Sequence, residues 1–474
     1  MSYDDDNDNA LPSGAVKPGL YQCTWNIDGS EFQGTIDLAG GKFPHGTAKF
    51  TLASCAIPNG WAFPRTEQRD RVVGYIDEVG RTVVVIGVTV TTHFANVTYL
   101  DADYALVGHG IGDDHDLVFN EVRLQTTGLE LLAGFTPLTH ITFPASYDAR
   151  LMEWSAKCQG GTHREWSDGG LTVELDFSSS ATVSDAYRFG VRFAPWASIK
   201  SLAGQTVREW YRGWCADLLT LASAATGRAE SLTHVHFAAD GTTVTAFTRG
   251  ISQTPYYARQ DRRTQVSYRV GGEGGDSLLD VLRRARAKRE EGHPLIDGYD
   301  PVVLGRAQHP RSRVLQLVQW IEAGRGFETR DSWKRRVEDH TAQREDLIAA
   351  LTTAYGDGVL TAAQLRFAKG ALGKKPYSSL EEALRAVFDR HQGLDIRNRL
   401  SELQVVQDQL ALDDCDSVES AIRLIRNGLS HGTVDYDAGQ LNRLAGVLRH
   451  LVRADYLWLL GCDYQPEMIF EPGE

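Results

Sequence analysis

Three polar side chains near the end of the chain have the types and the spacing of a small catalytic site. They are Arg426, Asn427 and His431, in the stretch IRNGLSH at 425–431. Histidine changes its charge near neutral pH and can move a proton, while arginine stays charged and offers a planar fork to phosphate oxygens. A neighbouring asparagine can hold either group through a hydrogen bond. These residue types suit RNA cleavage in which a base deprotonates the 2′-OH and a cation stabilises the phosphate.

A second stretch, IRNRLSE at 396–402, resembles the first but has Glu402 in the place of His431. Without an imidazole, this stretch cannot perform the same proton transfer alone. The sequences that flank the two stretches do not match, whereas an internal repeat would extend further. We therefore attribute the likeness to shared helix composition.

The stretch that contains His431 is predicted to belong to an amphipathic helix. Ser417 can cap its start and Gly432 can end it. On one side of this helix, residues at i, i+3 and i+4 spacing form an apolar stripe that would face a bundle core: Val418, Ile422, Ile425 and Leu429. On the opposite side, Arg423, Asn427 and His431 follow one another at intervals of one turn.

Arg426 flanks the apolar stripe, and about 140° separates it from His431 in projection. That angle is awkward for holding one phosphate from a single helix. Two copies that meet across a twofold axis would bring two such pairs into one cleft, so we predict a homodimer or a higher homo-oligomer. A narrow positive cleft would favour flexible single-stranded RNA, such as a tRNA anticodon loop, over a stiff A-form helix.

The pattern along the chain predicts an α+β multidomain protein. An acidic tail at 1–14 is predicted to be disordered, and 15–271 consists mostly of short alternating segments bounded by Gly, Pro, Asn or Asp. We interpret this region as a β-rich, sandwich-like domain with helical inserts. A helix and linker follow at 272–312, and 313–474 reads as an all-helical bundle with short Gly or Pro breaks.

Composition narrows the class of protein. Lys and Arg number 49 against 62 Asp and Glu, and a net charge of −13 argues against a protein that coats nucleic acid by bulk electrostatics. No apolar run is long enough to span a bilayer, and the start resembles no signal peptide, so we expect a cytoplasmic protein without a membrane partner.

Reduced thiols are expected for the six cysteines. Cys158 and His163 could form half of a zinc site, but no second pair stands out.

The motif supplies a base and a cation but no carboxylate cluster to hold Mg²⁺. We therefore predict cleavage without a metal or another cofactor, leaving a 2′,3′-cyclic phosphate and a 5′-OH.

The sequence RNGLSH at 426–431 matches the R-N-x-x-x-H signature of HEPN domains, helical bundles that in many members are metal-independent ribonucleases. Three other pairs have only the looser spacing of Arg and His, without Asn after the Arg: Arg335 with His340, Arg385 with His391, and Arg443 with His450. The motif lies late in a helical C-terminal region that follows a β-rich one. This layout resembles the ApeA-like antiphage defence proteins, which carry a C-terminal HEPN ribonuclease domain.

The resemblance implies a defence role of the abortive-infection type, with RNA, and tRNA as one candidate, as the substrate. Arg426 and His431 would be the catalytic pair and Asn427 a supporting polar residue. HEPN sites commonly add an acidic residue from a neighbouring helix, for which Glu402 is the candidate. The N-terminal domain would sense a phage-derived trigger or restrain the bundle.

Two other function classes remain open at this point. The first is a HEPN-like bundle without catalysis that serves as a dimerising partner. The second is a β-sandwich module that binds a sugar or a peptide, with a helical oligomerisation tail. In either case His431 would be only a cap near a helix end, and Arg426 only a surface side chain that covers apolar neighbours.

Overall fold

The computed structural model describes residues 16–49, 65–93, 97–112, 117–134, 137–142, 155–158, 163–185, 188–239, 241–256, 266–271, 276–300, 308–373, 380–412 and 415–464. The chain divides into two compact units. The first comprises 1–286 and 460–474, and the second comprises 287–459. A β-rich unit followed by a helical one confirms the α+β layout. The division at 287 falls within the stretch predicted as a helix and linker, 272–312.

The first unit contains both strands and helices. Its strands are β1 Leu20–Ile27, β2 Ser30–Asp37, β3 His45–Lys49, β4 Arg65–Ile76, β5 Arg81–His93, β6 Val97–Gly108, β7 Val118–Thr126, β8 Leu138–Thr142, β9 Ser155–Cys158, β10 Arg164–Asp168, β11 Leu171–Asp185, β12 Arg188–Thr206, β13 Leu232–Ala239 and β14 Thr242–Phe247. Its helices are α1 Leu129–Ala133, α2 Val207–Trp210, α3 Ala216–Thr226, with a π-helical turn Tyr211–Cys215 between the last two, and α4 Leu278–Glu290, within which the division between the units falls.

Six strands close into a barrel in the order β1-β2-β3-β6-β5-β4, with every pair antiparallel. Alternating side chains point inward and form one apolar core that includes Trp25, Ile36, Val85 and Leu100. The sandwich-like arrangement predicted from the sequence is therefore wrong. Alternation reports only that one face of each strand is buried, and that condition is met equally by a barrel and by a sandwich.

Strand β6 joins the barrel to an open sheet. Its first half pairs with β3 and its last half, Ala105–Gly108, pairs with β14, while β5 runs along its other edge. The sheet continues outward in the order β14-β13-β7-β12-β11-β10. The burial of β6 changes with its partners, because Val97–Asp103 alternates and Tyr104–Gly108 is buried throughout. Helix α3, predicted as an insert, is also almost entirely buried.

One row of polar side chains crosses this open sheet. Arg123 on β7 lies 2.8 Å from Asp176 on β11, and its guanidinium lies 5.0 Å from the centre of the Trp196 ring. On β13, burial lowers the pKa of His234 to about 4 and that of His236 to about 3, from an ordinary 6.5. Both histidines are therefore neutral in the folded protein at physiological pH.

The helices of the second unit are α5 Pro294–Gly298, α6 Pro310–Glu328, α7 Arg330–Gly356, α8 Ala362–Ala371, α9 Leu380–Arg390, α10 Ile396–Ser401, α11 Gln404–Leu410, α12 Val418–His431 and α13 Ala438–Leu459, with a 3₁₀ turn Gln392–Leu394. The predicted helical character of this region is confirmed. Helices α6 and α13 supply a large share of the core through buried apolar residues such as Leu317, Val318, Leu448 and Leu451. No helix in the described part of the chain is both long and apolar enough to cross a membrane.

An arginine ties three helices of this bundle together. Arg390 on α9 lies 2.7 Å from Glu328 on α6 and 2.7 Å from Asp455 on α13. Its guanidinium also lies 3.8 Å from the centre of the Trp458 ring. His391 adds a contact of 3.1 Å to Asp455. Because Arg390 and Asp455 are largely buried, removal of either one would leave the other as a buried charge with one partner fewer.

The two buried histidines of β13 predict a specific loss of stability in acid. The unfolded chain takes up their protons as pH falls below about 6.5, whereas the folded chain does not until pH reaches about 4 for His234 and about 3 for His236. Each histidine should therefore lower the free energy of unfolding by about 1.4 kcal/mol per pH unit within that window.

We expect His236→Gln to remove one such contribution. Urea unfolding of the wild type and of His236→Gln at pH 7.5, 6.5 and 5.5 checks this. His163→Gln, the same change at an exposed histidine, is the control. The variant should lose less stability than the wild type between pH 6.5 and 5.5. Equal losses in the two proteins would contradict the assignment of a neutral, buried His236.

Candidate functional site

Helix α12 begins and ends where the sequence predicts. The backbone N–H of Ser420 donates to the Ser417 hydroxyl at 3.2 Å, and Gly432 ends the helix with a φ of 66°, in the left-handed region. The predicted apolar stripe is confirmed at Ile422, Ile425 and Leu429, which are buried. Its first member, Val418, is only half-buried. The helix is therefore rotated about its axis so that the predicted apolar stripe faces the core.

Contacts on three sides hold α12 in place. At its start, Glu419 is 6% exposed and accepts from Arg397 Nε at 2.9 Å. On its flank, Arg423 Nε lies 2.6 Å from Glu381 on α9. At its end, the Arg311 guanidinium donates to the carbonyl of Leu429. A cation at this position satisfies a terminal carbonyl and opposes the negative end of the helix dipole.

Arg426 has two polar neighbours at the surface of the bundle. Its Nη1 donates to Asn427 Oδ1 at 3.2 Å, and its Nη2 lies 3.1 Å from Glu322 Oε2 on α6. The side chains of Arg426 and Glu322 are 37% and 38% exposed. A pair this exposed is weak and is screened by salt. An incoming phosphate can therefore take the place of Glu322 beside Arg426.

His431 lies exposed in the last turn of α12. Among the described residues, its side chain makes no hydrogen bond or ion pair. Among the described residues of one chain, the fold thus joins Arg426 and Asn427 by a hydrogen bond and gives His431 no hydrogen bond or ion pair to either. This outcome agrees with the wide angle that separates the two charged positions on one helix.

The acidic neighbour of Arg426 is Glu322, not the residue suggested by the resemblance. Glu402 lies exposed at the end of α10, and in the described part of the chain no hydrogen bond or ion pair links it to Arg426, Asn427 or His431. Whether Glu402 assists catalysis in an assembly stays a prediction. Glu322 was missed because it lies more than a hundred residues earlier, in a stretch with no motif of its own.

The twin stretch IRNRLSE has a structural role in this fold. Its arginine, Arg397 on α10, contacts Glu419 on α12 and also lies 2.8 Å from Asp389 on α9. These carboxylates raise the pKa of the Arg397 guanidinium and keep it charged, although desolvation opposes them as the largest single influence. The helix that resembles α12 therefore braces α12 at its first turn.

Two of the looser Arg and His pairs also have structural histidines. Burial lowers the pKa of His450 on α13 to about 2, so it is neutral and inaccessible to a substrate proton. His391 is 8% exposed and contacts Asp455. His340 on α7 is half-buried, with its Nδ1 shielded from solvent. Of the four copies of the pattern, the one at 426–431 thus has the most accessible imidazole.

The contact between Tyr436 and Gly428 of the motif could not have been found from the sequence. Tyr436 packs against Gly428 so closely that a Cβ at Gly428 would lie 2.7 Å from the Tyr436 hydroxyl oxygen. Burial raises the pKa of that phenol. A side chain at position 428 would therefore displace Tyr436 from the helix that carries the motif.

A cleft of about 580 Å³ lies beside Arg426, between α6, α7 and α9. Glu322 belongs both to this cleft and to the contact with Arg426. The residues that line it are Glu322, Arg325, Gly326, Thr329, Ser332, Trp333, Arg336, Glu382 and Ala383. Two arginines, a tryptophan and two hydroxyls thus face a space adjacent to the motif.

The described residues contain no group of three or more His, Cys, Asp or Glu arranged to hold a metal ion. The half zinc site suggested by Cys158 and His163 remains untested, because the side chain of Cys158 lies outside the described residues. Cys23, Cys215 and Cys415 are buried free thiols, as is Cys462. Cys55 lies outside the described residues.

In chemical terms, α12 offers a surface cation, a surface imidazole and a polar amide on a rigidly held helix. These groups can bind a phosphate and transfer a proton. Comparison of the chain with protein-family models, with curated proteins and with solved structures finds no match.

Proposed function

We propose that the protein is a metal-independent endoribonuclease of the HEPN type, with α12 as the catalytic helix. The observation that carries this proposal is the state of the motif residues. Arg426 is oriented by Asn427 and by an exposed, exchangeable contact to Glu322, and His431 is open to solvent. The other arginine of α12, Arg423, is engaged in a bracing contact with Glu381.

The reaction follows from these groups. The imidazole of His431 accepts the proton of a ribose 2′-OH, and the oxygen attacks the adjacent phosphorus. The bond from phosphorus to the 5′-oxygen breaks, and that oxygen takes a proton from water or from a second imidazole. Arg426 binds the nonbridging oxygens as negative charge develops on them. The products are a 2′,3′-cyclic phosphate and a 5′-OH.

The working site is proposed to form between two copies of the chain. Within one described chain no hydrogen bond or ion pair joins His431 to Arg426, and about 140° separates their positions around the helix. A twofold arrangement would set His431 of one copy against Arg426 of the other.

The biological setting rests on the resemblance to ApeA-like defence proteins. We propose a cytoplasmic nuclease whose β-rich unit senses a phage-derived trigger or restrains the helical unit until infection. Its activity would damage host RNA, such as tRNA, and so would require restraint.

Loss of either Arg426 or His431 should abolish cleavage. We expect His431→Ala and Arg426→Ala to lose RNA cleavage and toxicity in cells while retaining the fold, since exposed substitutions typically cost less than about 0.5 kcal/mol. Arg443→Ala is the matched control, because Arg443 is an exposed member of a looser copy of the motif. Cleavage by His431→Ala at the wild-type rate would refute the proposed function, whereas wild-type protein that leaves all RNA intact even when triggered would favour a non-catalytic dimerising bundle.

Cleavage should persist without divalent metal. We expect wild-type activity to be retained in EDTA, and we expect the upstream products, whose 3′ ends carry the cyclic phosphate, to resist polyadenylation until that phosphate is removed. Polynucleotide kinase should label the 5′ ends directly, because they carry a hydroxyl. Complete loss of activity in EDTA, with recovery on addition of Mg²⁺, would contradict the mechanism.

A mixed dimer tests whether two chains share one site. If Arg426 and His431 act across the twofold axis, mixing Arg426→Ala with His431→Ala chains should restore about one quarter of wild-type activity. Half of the dimers are then mixed, and each of these has one intact site. Light scattering should report a dimer in each sample. No recovery on mixing, or full activity in a monomer, would count against a shared site.

A further inference from the structure

The cleft beside Arg426 is chemically suited to a nucleotide. Its volume of about 580 Å³ falls within the range of roughly 300–1,000 Å³ that is usual for small-molecule sites. It is lined by three helices of the same unit, and its Glu322 also contacts Arg426. A ligand in the cleft would therefore lie immediately beside the motif.

Helix α7 contributes the two side chains most characteristic of RNA binding. Trp333 is half-buried in the cleft wall, and the Arg336 guanidinium lies 5.4 Å from the centre of its ring. An indole face can stack on any base, and an arginine nearby can add both stacking and phosphate contacts. Neither residue is part of the apolar core, since α7 has no buried residues.

The hydroxyls in the cleft present acceptors to a ligand. Thr329 Oγ1 donates to the carbonyl of Arg325 at 2.8 Å, and Ser332 Oγ donates to the carbonyl of Thr329 at 2.8 Å. Each proton is thereby committed to the backbone, which leaves lone pairs on the oxygen atoms. Exocyclic amino groups of a base are suitable donors to these positions.

Ion pairs balance the charge of the arginines in the cleft. Arg336 lies 3.6 Å from Glu382, and Arg325 lies 3.0 Å from Glu328. The side chains of Arg336 and Glu382 are 49% and 59% exposed, so this pair is weak and exchangeable. A phosphate can compete with the carboxylate for the guanidinium, because it offers oxygens in matching geometry.

We propose that this cleft binds the nucleotide next to the scissile bond of single-stranded RNA, with its base on Trp333 and its phosphate on Arg336. The inference rests on the proposed function, since it takes Arg426 to hold the scissile phosphate. Glu322 links the two positions, and displacement of its carboxylate from Arg426 accompanies entry of RNA.

The test measures RNA binding apart from cleavage. Full-length protein carrying His431→Ala is titrated into a fluorescently labelled, single-stranded oligoribonucleotide at fixed salt, and the dissociation constant is read from anisotropy. Trp333→Ala should weaken binding about tenfold, as expected for the loss of one stacked base. Trp333→Phe should retain most of the affinity, because a phenyl ring still stacks.

Charge variants give a second, matched comparison. Arg336→Gln should weaken binding several-fold, whereas Arg335→Gln, the same change one residue earlier on α7 and outside the cleft, should not. Glu382→Gln should strengthen binding, because it removes the carboxylate that competes with phosphate. Equal affinities for Arg336→Gln and Arg335→Gln, together with no effect of Trp333→Ala, would overturn the proposed cleft site.

Cleavage assays on the same substitutions in an otherwise wild-type chain separate the two proposals. Cleavage that depends on His431 but is unaffected by changes at Trp333 and Arg336 would reject the cleft alone. Cleavage that is unaffected by His431→Ala would reject the proposed function, whatever the cleft variants do.

Discussion

The rotation of helix α12 about its own axis is the constraint on which the candidate site depends. Burial of Ile422, Ile425 and Leu429 fixes that rotation, and each such side chain contributes roughly 1.5–3 kcal/mol when it leaves water. Any other rotation would expose part of this stripe. Because side chains on a helix have fixed angular positions, burying the stripe also decides that Arg426 lies at its edge and His431 in solvent.

The arginines of the bundle divide into bracing and available groups. Arg397 contacts Glu419, whose side chain is 6% exposed, and Arg390 contacts Asp455, whose side chain is 7% exposed. Movement of either arginine would remove a cation from beside a buried acid. Arg426 differs because its partner, Glu322, is 38% exposed. Water and salt weaken that contact, which allows the guanidinium to change partners at little cost. The guanidinium group thus stabilises the bundle in one place and stays available to a ligand in another.

The two units call for separate functional arguments. The helical unit contains the motif, the cleft and the contacts that hold α12, and the nuclease proposal concerns this unit alone. The β-rich unit has its own core inside the barrel and a polar row around Arg123, His236 and Trp196. Its proposed sensing or restraining role rests on the resemblance and on the danger of an unregulated nuclease. A change in RNA cleavage upon ligand binding to the β-rich unit would link the two.

The sequence by itself determined the features that depend on neighbouring residues. Ser417 and Gly432 marked the ends of α12, and alternation along the first half marked strands, since capping and periodicity are local properties. Tertiary structure alone decided that the strands close into a barrel, because alternation does not specify which edges pair. It also chose Glu322 over Glu402 beside Arg426, since the packing of α6 against α12 is a long-range contact that no local pattern records.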